Sequence, residues 1–225
     1  MTTVITSLLT SGSDPQRPGV RLPATLDPVR VLAESLHGLP LVVLADEVDE
    51  GTTSNITVVR APAAAENVYL QRWRNTLAYL HDNPNLTEVW CVDGTDVELI
   101  NTPPQQQPGR VYVGFEHTVV GCVWMRRHHP TQTQWIADNA DLTLLNPGVI
   151  GGTRGTLIEF LTDMLQLWDK TDRSTDIGDM GVFNETLYET WADRHTTGPR
   201  IVTPYKLVWS WNHTNAHAHS TWRHK

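Results

Sequence analysis

The spacing of apolar and polar positions divides the chain into short strands and amphipathic helices that alternate. Val4-Ile5-Thr6-Ser7-Leu8-Leu9 is a β-branched and apolar run that predicts a first strand. A Gly/Pro/Asp/Ser-rich loop, Ser11 to Pro23, follows it. Leu26 to Leu36 has apolar residues at 29, 32, 33 and 36, one face of a helix, with Asp27-Pro28 fitting N-cap and N1 and Gly38 as the stop. Leu39 to Ala45 and Asn55 to Arg60 read as the second and third strands. Ala63 to His81 reads as a helix with Leu70, Trp73, Leu77 and Leu80 along one face, ended by Asn83-Pro84-Asn85. The run Val89-Trp90-Cys91-Val92 is a further strand that enters the turn Asp93-Gly94-Thr95-Asp96. Strand, helix, strand, strand, helix, strand predicts an α/β fold with a mainly parallel sheet covered on both faces.

The second half is less regular. Thr102 to Gly109 is a Pro/Gln loop, and Arg110 to Met125 reads as one or two strands, with Gly114, Gly121 and Glu116-His117 marking a hairpin or bulge. Trp135 to Ala140 suggests a short helix and Leu142 to Leu145 a strand. Asn146 to Gly152 is glycine-rich just past that strand, where missing side chains let a ligand approach the backbone. Thr156 to Glu159 forms a capping box for a helix carrying Leu157, Phe160, Leu161, Met164, Leu165 and Trp168. After a polar linker, Asp169 to Ser174, the turn Asp176-Ile177-Gly178-Asp179 precedes a helix with Phe183, Leu187, Tyr188 and Trp191 at helical spacing. Ile201 to Trp211 looks extended, and the tail holds His213, His217, His219 and His224.

The chain has 225 residues and reads as a single domain of two halves, residues 1–100 and 101–225. Its net charge of -8 argues against a general polyanion binder. The basic clusters Arg126-Arg127-His128-His129 and Trp222-Arg223-His224-Lys225 read as solvated surface. Cys91 and Cys122 lie in apolar runs without metal-type spacing and read as buried thiols. No signal-peptide pattern and no apolar run of about 20 residues is present, so a soluble, cytoplasmic protein without a membrane span is expected.

The candidate chemistry centres on Asp93 and Asp96. Carboxylates at the end of a buried strand are costly to desolvate unless paired or metal-bound, and a hard divalent cation takes oxygen ligands. The same residues also fit a plain turn, because Asp-Gly is a hairpin signal and Asp96 can cap a turn. In open α/β sheets, ligands bind outside the carboxyl ends of the strands. The Ser11 loop is therefore a second candidate, with Arg17 for an anionic group and Asp14 for a ribose or base; Arg72 on the following helix could reach a phosphate.

Three stretches together, VWCVDGTDV (89–97), LLNPGVIGG (144–152) and DIGDMGVFNETLY (176–188), resemble the nucleotide-sugar-dependent glycosyltransferases of the GT-A fold. The resemblance implies a GT-A-like, Rossmann-like sheet with a smaller antiparallel acceptor-side portion. It implies Mn²⁺ or Mg²⁺ held by Asp93 and Asp96, with a histidine near the C-terminus, His219 or His224, completing the shell. It places the nucleotide-diphosphate sugar donor on Thr6, Ser7, Leu8, Asp14, Arg17, Asp46, Arg72, Asp93, Gly94 and Thr95. Asn146, Gly148, Gly151 and Gly152 then face the sugar and acceptor, and Asp179 or Asp176 is the catalytic carboxylate. The family's acidic pair commonly has one intervening residue where this chain has two, which leaves two assignments: Asp96 as the metal ligand and Asp93 as a ribose contact, or the reverse.

The expected activity is a metal-dependent glycosyl transfer to an acceptor hydroxyl, with small molecule, glycan, protein and modified DNA all open as acceptors. A nucleotidyltransferase is a second reading, but it wants a Gly-rich basic signature where the first loop has only Gly12, Gly19 and Arg17. A noncatalytic carbohydrate-binding protein, using some of the nine tryptophans as stacking platforms, is a third; Trp73 and Trp168 sit at core spacing instead.

Overall fold

The structure is a computed structural model that describes residues 1–17, 19–65, 67–203 and 219–225. Strands β1 (Thr2–Leu8), β2 (Leu41–Ala45), β4 (Ile56–Arg60) and β5 (Glu88–Val92) lie parallel in the order β4-β2-β1-β5. Helix α1 (Arg30–Ser35) connects β1 to β2, and α2 (Val68–Asp82) connects β4 to β5. A short β3 (Gly51–Thr53) pairs antiparallel at the β4 edge. On the other side β8 (Thr143–Thr153) runs antiparallel to β5 and to β7 (Val111–Val119), and β9 (His195–Thr197) is parallel to β7. Of the eight strands only β3 and β8 run against the rest.

Both faces of this sheet are buried, which is why β2 is apolar at every position. Val42 and Leu44 face a core built with α2, with α5 (Arg154–Lys170) and with α6 (Met180–Glu185). Leu41 and Val43 face a second core under α1, shared with the two-stranded sheet of β6 (Val97–Leu99) and β10 (Trp222–His224). The side-chain period of two assigns β5 the same way, Val89 and Cys91 to one face and Trp90 and Val92 to the other. Among the described residues no helix is long and apolar enough to cross a membrane.

Several boundaries differ from the sequence pattern. The helix expected from Leu26 begins as a single tight turn over Asp27–Val29, and Asp27 lies inside that turn instead of capping it. Helix α2 starts at Val68, because the Asn67 side chain accepts the Tyr69 amide at 2.9 Å and fixes the N-terminus there. The cap of α5 is Thr153, not Thr156; Thr156 sits inside the first turn, where its hydroxyl accepts the Gly109 amide. Val123 to Met125, expected in a strand, instead open helix α3 (Val123–His128), followed by α4 (Thr133–Asp138). The glycine-rich stretch after Leu145 is no loop, since β8 runs through it to Thr153 with partners on both sides. The extended segment expected to Trp211, with His213 and His217, lies outside the described residues beyond Thr203.

Candidate metal centre and cavity

The carboxyl ends of β1 and β5 open onto a cavity of about 680 Å³. That volume falls in the range of small-molecule sites. Because β8 is antiparallel, its first half lies at this same edge: the Asp93 amide donates to the Gly148 carbonyl at 2.8 Å. The Asp93 turn does not fold back as a hairpin on β5. The chain leaves the sheet, and β6 pairs with β10 in the register Val97 to His224 and Leu99 to Trp222. Trp222 is fully buried against Trp90, with ring centroids 5.6 Å apart, so apolar burial fixes the end of the chain beside the turn.

This pairing brings Asp93, Asp96 and His224 together, with ligand-type atoms all within 4.8 Å of one another. His224 Nε2 is 3.7 Å from Asp96 Oδ1 and 4.0 Å from Asp93 Oδ2. Asp96 Oδ1 is buried and has no hydrogen-bond partner among the described residues. Gly148 closes the group: a Cβ there would lie 2.8 Å from Asp93 Oδ2 and against the His224 ring. Gly94 allows the turn itself, since a Cβ would lie 2.7 Å from the Thr6 hydroxyl and from Val29.

Arg72 ties this group to the second acidic turn. Its guanidinium donates to Asp93 and, at 2.6 Å, to Asp179, and it stacks over Trp73 with its centre 4.5 Å from the ring. Burial opposes its charge, but the two carboxylates more than offset this and hold it protonated. Two carboxylates and an imidazole form a set that could hold a divalent metal ion.

The other expected site residues fall into two sets. Ser7, Asp14, Arg17, Gly94, Thr95 and Asn146 line the cavity with Arg72, Asp93, Asp96, Asp179 and His224. Asp14 accepts from the Tyr69 hydroxyl at 2.7 Å and from Arg17 and the Gln16 amide, so it holds the loop against α2. Burial pushes its pKa up, but the bonds from Tyr69, Arg17 and the Gln16 amide outweigh this, and its carboxyl lies below the ordinary range. Asp46 does not line the cavity; it accepts from the Thr10 and Ser11 amides and hydroxyls and anchors the first loop to β2. Leu8 is core, and Thr6 is buried beneath Gly94.

Gly151 and Gly152 are packing residues within β8. A Cβ on Gly151 would meet the Trp90 ring at 2.5 Å, and one on Gly152 would meet Leu157 at 3.2 Å. Asp176 is taken up outside the cavity wall by the Thr131 amide and hydroxyl, at 3.1 and 2.6 Å. Asp179 occupies the N-cap position of α6 without capping it; the same oxygen that meets Arg72 also accepts the Trp73 indole at 2.6 Å. His219 is exposed and stands apart from the acidic group. Arg223 and Lys225 both pair with Glu98.

The cavity wall from the second half of the chain also holds residues the sequence pattern did not single out for chemistry: Glu116, Thr118, Trp124 and His129. Gly114, Gly121 and the intervening Glu116-His117 signalled an irregular backbone there, but no chemistry. No protein-family model and no curated protein sequence matches the chain, so the functional reading rests on this geometry.

Proposed function

We propose that this protein is a metal-dependent glycosyltransferase of the GT-A type, moving a sugar from a nucleotide-diphosphate donor to an acceptor hydroxyl. The observation that carries the reading is the Asp93, Asp96 and His224 group in the wall of a cavity at the carboxyl edge of a mainly parallel sheet. Asp93, Asp96 and His224 would hold Mn²⁺ or Mg²⁺, which when bound supplies a Lewis acid that stabilises the leaving diphosphate. Arg72 fixes the orientation of Asp93 by holding one carboxylate oxygen and leaving the other turned toward His224. The loop anchored by Asp46 and Asp14 closes the nucleotide end of the cavity. Asn146 sets the cavity floor: its Oδ1 accepts the Gly148 amide at 2.8 Å and fixes the bend beside Asp93.

A nucleotidyltransferase has less support, since Arg17 of the first loop is paired with Asp14. The test is turnover of a panel of uridine- and guanosine-diphosphate sugars, with water as the acceptor. Slow donor hydrolysis that needs Mn²⁺ and stops with chelator is expected. Absence of hydrolysis across the panel with Mn²⁺ and with Mg²⁺, together with release of pyrophosphate from a nucleoside triphosphate and a sugar phosphate, would establish the other reading.

A further inference from the structure

Glycosyl transfer to a hydroxyl releases a proton, and the carboxylates placed for this role by sequence are otherwise engaged. Asp179 gives one oxygen to both Arg72 and Trp73, and Asp176 is bound to Thr131 outside the cavity. Asp93 and Asp96 belong to the metal group, and Asp14 is held by Tyr69 and Arg17 on the opposite loop. Among the described residues that line the cavity, one further carboxylate is Glu116, which itself accepts a hydrogen bond from Asn146.

Its position is built by the backbone. The pairing of β7 with β8 shifts register twice, between Val113 and Gly114 and again between Phe115 and Val119. Such irregularities re-aim side chains next to sites, and here they present Glu116 and Thr118 to the cavity. Gly114 permits the close approach, since a Cβ there would stand 2.8 Å from the Asn146 carbonyl oxygen. Glu116 Oε1 accepts the Asn146 side-chain amide at 2.9 Å, and Asn146 Oδ1 accepts the Gly148 amide at 2.8 Å. Gly148 abuts Asp93 and His224, so two hydrogen bonds link Glu116 to the metal group and set its distance from it. Glu116 is only half-buried, so an acceptor in the cavity can reach it.

We infer that Glu116 is the catalytic base that takes the acceptor proton, an assignment that rests on the transferase reading. The acceptor oxygen forms its bond to the anomeric carbon while its proton passes to the Glu116 carboxylate. The bond from that carbon to the diphosphate oxygen breaks, and its electron pair leaves with the diphosphate. A base on the face opposite the leaving group gives inversion at the anomeric carbon.

The experiment uses the panel of nucleotide-diphosphate sugars with Mn²⁺, water as acceptor, and azide as a second acceptor that has no proton to lose. Glu116→Ala is expected to lower donor hydrolysis at least about 100-fold, the scale of general-base catalysis. Azide should restore turnover and give a glycosyl azide of inverted configuration, with Mn²⁺ affinity unchanged. Glu116→Gln, which can keep the bond to Asn146, should behave in the same way if Glu116→Ala does not fold. Wild-type hydrolysis rates in either folded variant, or a loss that azide does not repair while Mn²⁺ still binds, overturns the role of Glu116. A wild-type protein that binds Mn²⁺ and hydrolyses no donor overturns the transferase reading, and the inference with it.

Discussion

The chain contains two acidic turns of the same form, Asp93-Gly94-Thr95-Asp96 and Asp176-Ile177-Gly178-Asp179. Each has two aspartates three residues apart, a glycine between them and an apolar element after it. Their surroundings differ. The Asp93 and Asp96 side chains are 31% and 34% exposed, and their oxygens converge with His224 on the cavity. The Asp176 and Asp179 side chains are 1% and 6% exposed and are held by Thr131, Arg72 and Trp73. A buried carboxylate must be paired, and a paired one has little left to offer a ligand. Equal spacing therefore produces a candidate binding site in one turn and a structural brace in the other. What separates them is the supply of internal donors.

The largest effect expected from this contrast lies in the brace. Asp179→Asn leaves the buried Arg72 with half its counter-charge and should lower unfolding free energy by about 3 kcal/mol, the scale for breaking a buried pair. Urea denaturation measures it. A stability equal to the wild type would show that the second turn is no brace.

Next comes a pair of glycine substitutions within β8. Gly151→Ala presses on Trp90 and should cost about 2 kcal/mol of stability by overpacking, while leaving Mn²⁺ affinity alone. Gly148→Ala should cost stability as well, and should also weaken Mn²⁺ binding, because the added carbon would press into the buried His224 ring and lie 2.8 Å from Asp93 Oδ2. If both variants lose metal affinity equally, the division of β8 into packing and site positions is wrong.

The smallest effect is in acid. Burial pushes the pKa of Asp176 up, but His129 beside it and the hydrogen bonds from Thr131 outweigh burial and bring it below the ordinary value. A depressed folded-state value contributes stability that is fully present above the unfolded-state value of about 3.9. That stability is lost as pH falls through the lower folded-state value. Asp176→Asn should therefore cost about 1 kcal/mol near neutral pH and progressively less below pH ~4. A cost that stays constant down to the acid-unfolding region would exclude this linkage.

Much of the first half was readable because its signals are local. The strands β1, β2, β4 and β5 are apolar runs, and α2 shows its face through Leu70, Trp73 and Leu80. The placement of Asp93 and Asp96 at a strand end also followed from the run before them. What was not readable depends on partners far along the chain. Asn146 to Gly152 looks like a loop by glycine content, yet two neighbouring strands supply its hydrogen bonds and Trp90 needs the space above Gly151. Val123-Trp124-Met125 has strand-type residues, but Met125 must turn inward to a small core with Ile136 and Leu144. Asp46 meets Thr10 and Ser11, and Asp179 meets Arg72, through contacts no spacing encodes. His224 reaches the acidic turn only because β10 pairs with β6, whereas His219, an equal candidate by sequence, stays exposed.

The central claim is that the Asp93 turn with His224 holds a divalent cation and that the Asp176 turn does not. A calorimetric titration with Mn²⁺ of the wild type, Asp96→Asn and Asp176→Asn tests it most directly. The account predicts one Mn²⁺ per wild-type chain, affinity lowered on the order of 100-fold in Asp96→Asn, and wild-type affinity in Asp176→Asn. No Mn²⁺ binding by the wild type, or binding that Asp96→Asn leaves intact, would contradict it.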